Sequence, residues 1–416
     1  MIVKELKIAG IWGRQLRLSL NRDVNFLIGV NGSGKTTVIN LLAAVLKCDL
    51  SGLDRSPFTS ATIRLVDPDS TAQATVHVDR RTALEPVFGS TFSYKFTGTD
   101  YKEPITLDVL ERGRAPFYRP ASGPRPVEIV RAQLRQLVNT TWVSVHRASI
   151  TRDREEGDIE SAVDKKLGQL TNNLIRHFSL LAARGAVETE KFQHALFLSL
   201  LNKLSSQANL VTTVQRLKLD DEEAALVDIF ESFKLMDDAA RERIREEFSI
   251  VRGVAKGKGK LGLDWNDIIA MVGMLRIHSL VQDWRTLVAM QAQIFASRDD
   301  FFGILGSMMP NKQFSINAKN ELAVKITGGS DLPMRALSSG EKQLLIILGE
   351  AFLQDGEPWI YIADEPELSL HVAWQEQLIA HIRKLNPKSQ VIFATHSPDI
   401  VSQFDDKVFD MEKLIK

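Results

Sequence analysis

The sequence predicts an α/β domain with a mainly parallel sheet and an antiparallel β lobe, interrupted by a large helical insertion. Three observations carry this. Short apolar runs alternate with helical patterns at both ends of the chain, which implies strands covered on both faces. The stretch 56–130 is rich in Thr, Val, Pro and Gly and carries strand patterns such as "ATIRLV" and "QATVHV". The middle of the chain changes to long segments with apolar residues at helical spacing. The simplest account is one domain in two halves, 1–150 and 311–416, split by an insertion at 151–310.

The elements follow in order. "VNFLIG" (24–29) is an apolar run, then comes a glycine loop, then a helix at "TTVINLLAAVL" (36–46). "TTWVSV" (140–145) reads as one more buried strand. The insertion holds "LGQLTNNLIRHFSLLAARG", "EEAALVDIFESFKLM" and a long segment from "WNDIIAM" to "QAQIF", with a Gly/Lys linker, "VAKGKGKLG" (254–262). From 311 the alternation returns. "FSINAKNELAVKI" predicts a hairpin, followed by a helix (341–353), a strand (359–363), a helix (371–385), a strand (390–395) and a short helix near 398–403.

Composition sets outer bounds. The 416 residues carry 52 basic and 52 acidic side chains, so nothing in the net charge points to nucleic acid, although a local basic face stays open. A single cysteine, Cys48, excludes a disulfide framework within one chain and fits a reducing cytoplasm. The N-terminal "MIVKELKIAG" lacks a signal-peptide pattern, and no apolar run approaches ~20 residues, so neither export nor a membrane span is expected.

"GVNGSGKT" (29–36) follows an apolar strand and opens a helix, the context a phosphate loop requires. Gly32 and Gly34 let the backbone curl around phosphate, and the helix start adds positive potential. Lys35 is expected to reach the β- and γ-phosphates, and Thr36 to place its hydroxyl on Mg²⁺. The nucleotide-binding candidates are Asn31, Gly32, Ser33, Gly34, Lys35, Thr36 and Thr37. "WIYIAD" (359–364) ends in Asp364, followed by Glu365. A buried parallel strand brings its C-terminal carboxylates to the edge that holds the phosphate loop. Asp364 is the metal candidate beside Thr36, and Glu365 the general base that polarises water. "VIFATHSPDIV" (391–401) places His396 at a third strand end, within reach of a γ-phosphate. Lys35, Glu365 and His396 are the catalytic candidates. Ser397-Pro398 also fits a helix cap with proline at the first position.

"LSSGEKQ" (337–343) admits two readings. Ser338 before an apolar helix with Glu341 in its first turn is an ordinary N-cap pattern. The same helix start is also a second anion site, whose phosphate would come from another copy in a symmetric dimer.

Phosphate loop, "LSSGEKQ", "IYIADEPELSLH" and "ATHSP" occur in that order, and together they resemble an ABC-type ATPase head of the P-loop NTPase class. Within it the chain is similar to the RecF, SMC and OLD group, over roughly 1–50 and 311–410. The resemblance implies ATP and Mg²⁺ as cofactors, ATP hydrolysis, and a signature of Ser338, Ser339, Gly340 and Glu341 that acts in trans. Ser339 stands where many relatives have glycine, and Glu341 where transporters have glutamine. "PELSLH" (366–371) resembles the D-loop at the dimer seam. No clear glutamine lid is found; His146 and Arg147 occupy its place. Trp12 and Arg14 lie where relatives contact adenine.

The C-terminal wording is most similar to stand-alone antiphage-defence ATPases of the PARIS (AriA) and Septu or retron (PtuA-like) kind. That implies a homo-oligomer built from dimers that senses infection and holds a separate effector, such as a Toprim or HNH nuclease. The chain ends at Lys416 just after the head, so the effector is expected on another polypeptide. The alternative is a RecF/SMC-like repair ATPase that clamps DNA, which predicts a basic stripe along the insertion. A transporter subunit fits less well, since its helical subdomain is short.

Overall fold

The computed structural model describes residues 1–81, 90–99, 101, 103–108, 125–143, 161–201, 210–255 and 264–414. They form two compact units: residues 1–177 with 297–416, and residues 178–296.

The first unit opens with β1 (Ile2–Ile11), β2 (Arg14–Ser19) and β3 (Val24–Ile28), then α1 (Lys35–Lys47) and α2 (Leu50–Arg55). Next come β4 (Ser60–Val66), β5 (Gln73–Arg81), β6 (Thr91–Thr97), β7 (Ile105–Asp108), α3 (Pro126–Leu137) and β8 (Asn139–Val143). Two long helices follow in sequence, α4 (Ala162–Leu201) and, after α5 (Leu210–Arg216), α6 (Leu219–Ser232) and α7 (Asp238–Ala255), α8 (Trp265–Met308). The chain then gives β9 (Lys312–Ile316), β10 (Leu322–Ile326), β11 (Asp331–Leu332) and α9 (Ser339–Phe352). It closes with β12 (Trp359–Asp364), α10 (Val372–Leu385), β13 (Gln390–Ala394), α11 (Pro398–Val401), β14 (Val408–Asp410) and α12 (Met411–Leu414).

Among these strands, one sheet is antiparallel, in the order β2-β1-β4-β5-β6-β7. A second is wholly parallel, in the order β14-β3-β13-β12-β8. β9, β10 and β11 make a small third sheet, with the predicted hairpin pairing Leu322 to Ile316. The parallel strands read as unbroken apolar runs because both faces are covered. Every residue of β13 is buried, and Tyr361 in β12 satisfies its hydroxyl on Ile347 O at 2.8 Å. α1 fills the space between the sheets with Ile39, Leu41 and Val45, each fully buried. Burying side chains of this size contributes about 1.5–3 kcal/mol each. The helix stops where Cys48 turns into the left-handed region, φ +50°.

A buried side chain ties the parallel sheet to the antiparallel one. Gln390 opens β13 and is fully buried. Its Nε2 donates to Val3 O at 2.8 Å and to Asn21 O at 2.7 Å, and its Oε1 accepts from Val3 N–H at 2.9 Å. Asn25, also fully buried, donates to Asn21 O and to Val391 O.

One expectation fails here. The stretch read as β-rich to 130 turns helical at Pro126. Proline takes the first helical position, and Glu128 Oε2 accepts from Arg125 N–H at 3.3 Å, a helix start written in the sequence and overlooked among strand patterns.

The second unit is helical. Leu226, Ile229, Ile244, Phe248, Val251 and Met271 form its core. Phe192, Phe233 and Trp284 make an aromatic cluster with centroids 5.5–6.0 Å apart. The sequence reading missed α7 as a separate helix. Part of the Gly/Lys linker, residues 256–262, and both His146 and Arg147 lie outside the described residues.

Candidate nucleotide-binding site

The parallel sheet sends the ends of β3, β12 and β13 to one edge. Gly29 leaves β3 with φ +146°, and a Cβ there would lie 2.6 Å from Ser33 Oγ, so only glycine fits. Gly32 (φ +86°) and Gly34 (φ +91°) complete the curl into α1. Lys35, 4% exposed, folds its Nζ back to Gly29 O at 2.8 Å and Val30 O at 3.2 Å. Burial pulls its pKa below the usual lysine value, against the opposing charges of Glu365, Asp364, Glu367 and Glu412.

Thr36 Oγ1 donates to Asp364 Oδ1 at 3.0 Å. Two oxygens bound side by side to Mg²⁺ at about 2.0–2.1 Å stand roughly 3 Å apart, so this pair fits the ion. Among the described residues no group of three or more His, Cys, Asp or Glu could hold a metal unaided. Mg²⁺ taken up with a phosphate needs no such group. Glu365 sits in the left-handed region, φ +49°, an unfavourable place for a non-glycine residue. Its N–H donates to Ala394 O at 2.8 Å, which carries the β12–β13 pairing one residue past the strand.

A cleft of about 470 Å³ is lined by Trp12, Asn31, Gly32, Gly34, Lys35, Thr36, Thr37, Glu365 and His396. Ser33 is not on its wall; its Oγ is buried without a hydrogen-bond partner. Trp12 stands at the β1–β2 turn with φ +50° and is 49% exposed, while Arg14 is absent from the lining.

The predicted signature is not on this wall either. Ser338 caps α9: its Oγ accepts from Glu341 N–H at 3.3 Å, and Glu341 Oε2 accepts from Ser338 N–H at 2.9 Å. Glu341 also pairs with Lys312 at 2.6 Å. Burial raises the Glu341 pKa, but Lys312 and the Ser338 N–H outweigh it, and the net shift is downward. Gly340 meets "PELSLH": a Cβ would lie 2.4 Å from Ser369 O. Gly340→Ala is therefore expected to push the Ser369 segment away and to lower the thermal midpoint by several degrees, read by differential scanning calorimetry. An unchanged midpoint would show that the segment yields freely.

Two carboxyl groups escaped the sequence reading. Glu412 Oε1, on α12, accepts from Val30 N–H at 2.9 Å, and no local signal marks it. Glu367 Oε1 accepts from His396 N–H at 2.8 Å; the acidic residue after "DEP" was the available sign.

Residues 218–402 match the family described as "AAA domain, putative AbiEii toxin, Type IV TA system", a little under half of the chain. Septu protein PtuA of Bacillus thuringiensis is 32% identical over 130 residues. With the phosphate loop, the Asp364-Glu365 strand end and His396 on one edge of a parallel sheet, the assignment follows. The fold is of the P-loop NTPase kind and resembles an ABC-type ATPase head.

The similarity to Septu protein PtuA is confined to part of each chain. The match spans 28% of this chain and 32% of PtuA, so the chain aligns with about a third of that relative's length. Solved Smc heads overlay loosely along the whole chain. The Pyrococcus furiosus head bound to the C-terminal domain of ScpA gives a TM-score of 0.46 at 12% identity, covering 96% of this chain and 91% of that one. The Thermotoga maritima SMC head gives 0.40 at 12% identity, covering 97% and 93%. Among the described residues no helix is long and apolar enough to cross a membrane.

Proposed function

We propose that this chain binds and hydrolyses ATP as the ATPase subunit of an antiphage defence system. It forms ATP-sandwich dimers, or higher oligomers of them, that sense infection and control a separate effector such as a Toprim or HNH nuclease. The observation that carries the chemistry is the convergence of Lys35, Thr36, Glu365 and His396 on one cleft, with Asp364 held behind Thr36 by a 3.0 Å hydrogen bond. The antiphage setting rests on the likeness to PtuA.

In this reading Gly32, Gly34 and the α1 N-terminus receive the phosphates, and Lys35 exchanges its carbonyl partners for phosphate oxygens. Thr36 and Asp364 would hold Mg²⁺, which when bound neutralises phosphate charge. Glu365 accepts a proton from the water that attacks the γ-phosphorus, as the bond to the β-phosphate oxygen breaks. His396 holds the transferred phosphoryl group and the water. Trp12 offers a flat face for adenine. Ser338, Ser339 and Gly340 lie off this cleft and reach the γ-phosphate of a second copy, which makes each site a product of two subunits.

The test is a mixing experiment. Ser338→Arg should lose hydrolysis yet bind ATP, and Lys35→Ala should lose binding. Mixed one to one, the pair regains turnover up to about a quarter of the wild-type rate, because a hybrid dimer holds one complete site. Full turnover by Ser338→Arg alone would overturn the composite site.

A further inference from the structure

Asp364 and Glu365 are followed by a third carboxyl group, Glu367, which the chemistry above leaves unused. It is 7% exposed. A buried carboxyl group is retained where donors meet it. Two do, both on one oxygen: Oε1 accepts from Thr395 Oγ1 at 2.7 Å and from His396 N–H at 2.8 Å. Oε2 is buried with no hydrogen-bond partner. Thr395, fully buried, accepts in turn from Ser397 N–H at 3.0 Å. Ser397 Oγ donates to Gln375 Oε1 at 2.6 Å, which ties the same loop to α10. On the other side of Glu367, Gln343 of α9 is 1% exposed and donates to Pro366 O at 2.8 Å.

The bonds form a continuous line. It runs from α9, whose head carries Ser338 and Gly340, through Pro366 and Glu367 to the backbone of His396. The His396 side chain itself is exposed on the cleft, so its backbone anchor governs where the ring stands. We propose that Glu367 is a positioning residue that fixes the His396 loop against the Asp364-Glu365 strand end and passes the seating of α9 to His396. The proposal rests on the ATPase reading given above. It adds to that reading a link within one chain, from the surface offered to a second copy to the group that meets the γ-phosphate.

The test is steady-state ATP turnover by the full chain. Glu367→Ala should lower kcat at least about tenfold, the usual effect of losing two buried hydrogen bonds, with KM within about twofold. Glu367→Gln keeps an oxygen where both donors converge and should recover most of the rate. In a His396→Ala background, Glu367→Ala should cost little more, because residues acting through one another are not additive. Should Glu367→Ala fail to fold, Thr395→Val removes one donor at almost the same volume and should give a smaller loss of the same kind. Unchanged kcat, or a loss that multiplies fully with that of His396→Ala, would overturn the proposal. Wild-type turnover is measured first: its absence overturns the ATPase reading, whereas equal kcat in wild type and Glu367→Ala overturns only the role of Glu367.

Discussion

Glu365→Gln is expected to cut ATP turnover by at least about a hundredfold and to trap a nucleotide-bound assembly. The amide has nearly the shape of the carboxylate but cannot take a proton at neutral pH. The backbone bond from Glu365 N–H to Ala394 O does not depend on the side chain, so the strand end keeps its course. Lys35, Thr36 and Asp364 remain to bind the nucleotide. Glu365 heads the negative charges around Lys35, and removing it makes the cleft more favourable to phosphate. ATP should therefore bind at least as tightly. Static light scattering with ATP and Mg²⁺ should report a dimer or larger. A variant that stays monomeric at micromolar concentration with ATP bound would show that nucleotide does not join two copies.

Gln390→Ala carries the largest expected cost to stability. The substitution deletes three hydrogen bonds and leaves Val3 N–H and Val3 O facing a cavity between the sheets, while Asn21 O keeps its bond from Asn25. Each net bond is worth about 1 kcal/mol, and each buried group left unmet costs about 1–3 kcal/mol. A total of about 3–5 kcal/mol is a large share of the 5–15 kcal/mol typical of a folded protein. Urea unfolding measures it. A loss under about 1 kcal/mol would mean that water takes over the vacated bonds.

The site was legible in the sequence where its geometry is local or repeats along a strand. The phosphate loop is encoded by glycines within eight residues. Asp364 and His396 were placed by the rule that parallel strands end on one edge, and the pairing of Asp364 with Ala394 follows that rule. "LSSGEKQ" gave its N-cap because a capping box needs only residues 338 and 341. Glu367, Glu412 and Gln390 were out of reach for a physical reason. Each acts on a partner 28 to 387 positions away, and no periodicity announces such a contact. α3 was missed differently, since its local signal was present but overruled by neighbouring β composition.

The place of β3 has a consequence for biosynthesis. The antiparallel sheet is completed by Asp108, from strands that mostly neighbour one another along the chain. β3, the strand that leads into the phosphate loop, pairs only with β13 and β14 among the described strands, and both lie beyond residue 389. While the ribosome makes the intervening residues, both edges of β3 lack their partners. Such edges invite association with other chains, and closing parallel pairs across so long a loop is slow. The cleft at the end of β3 thus takes shape only once residues beyond 389 have been made and β13 and β14 have docked.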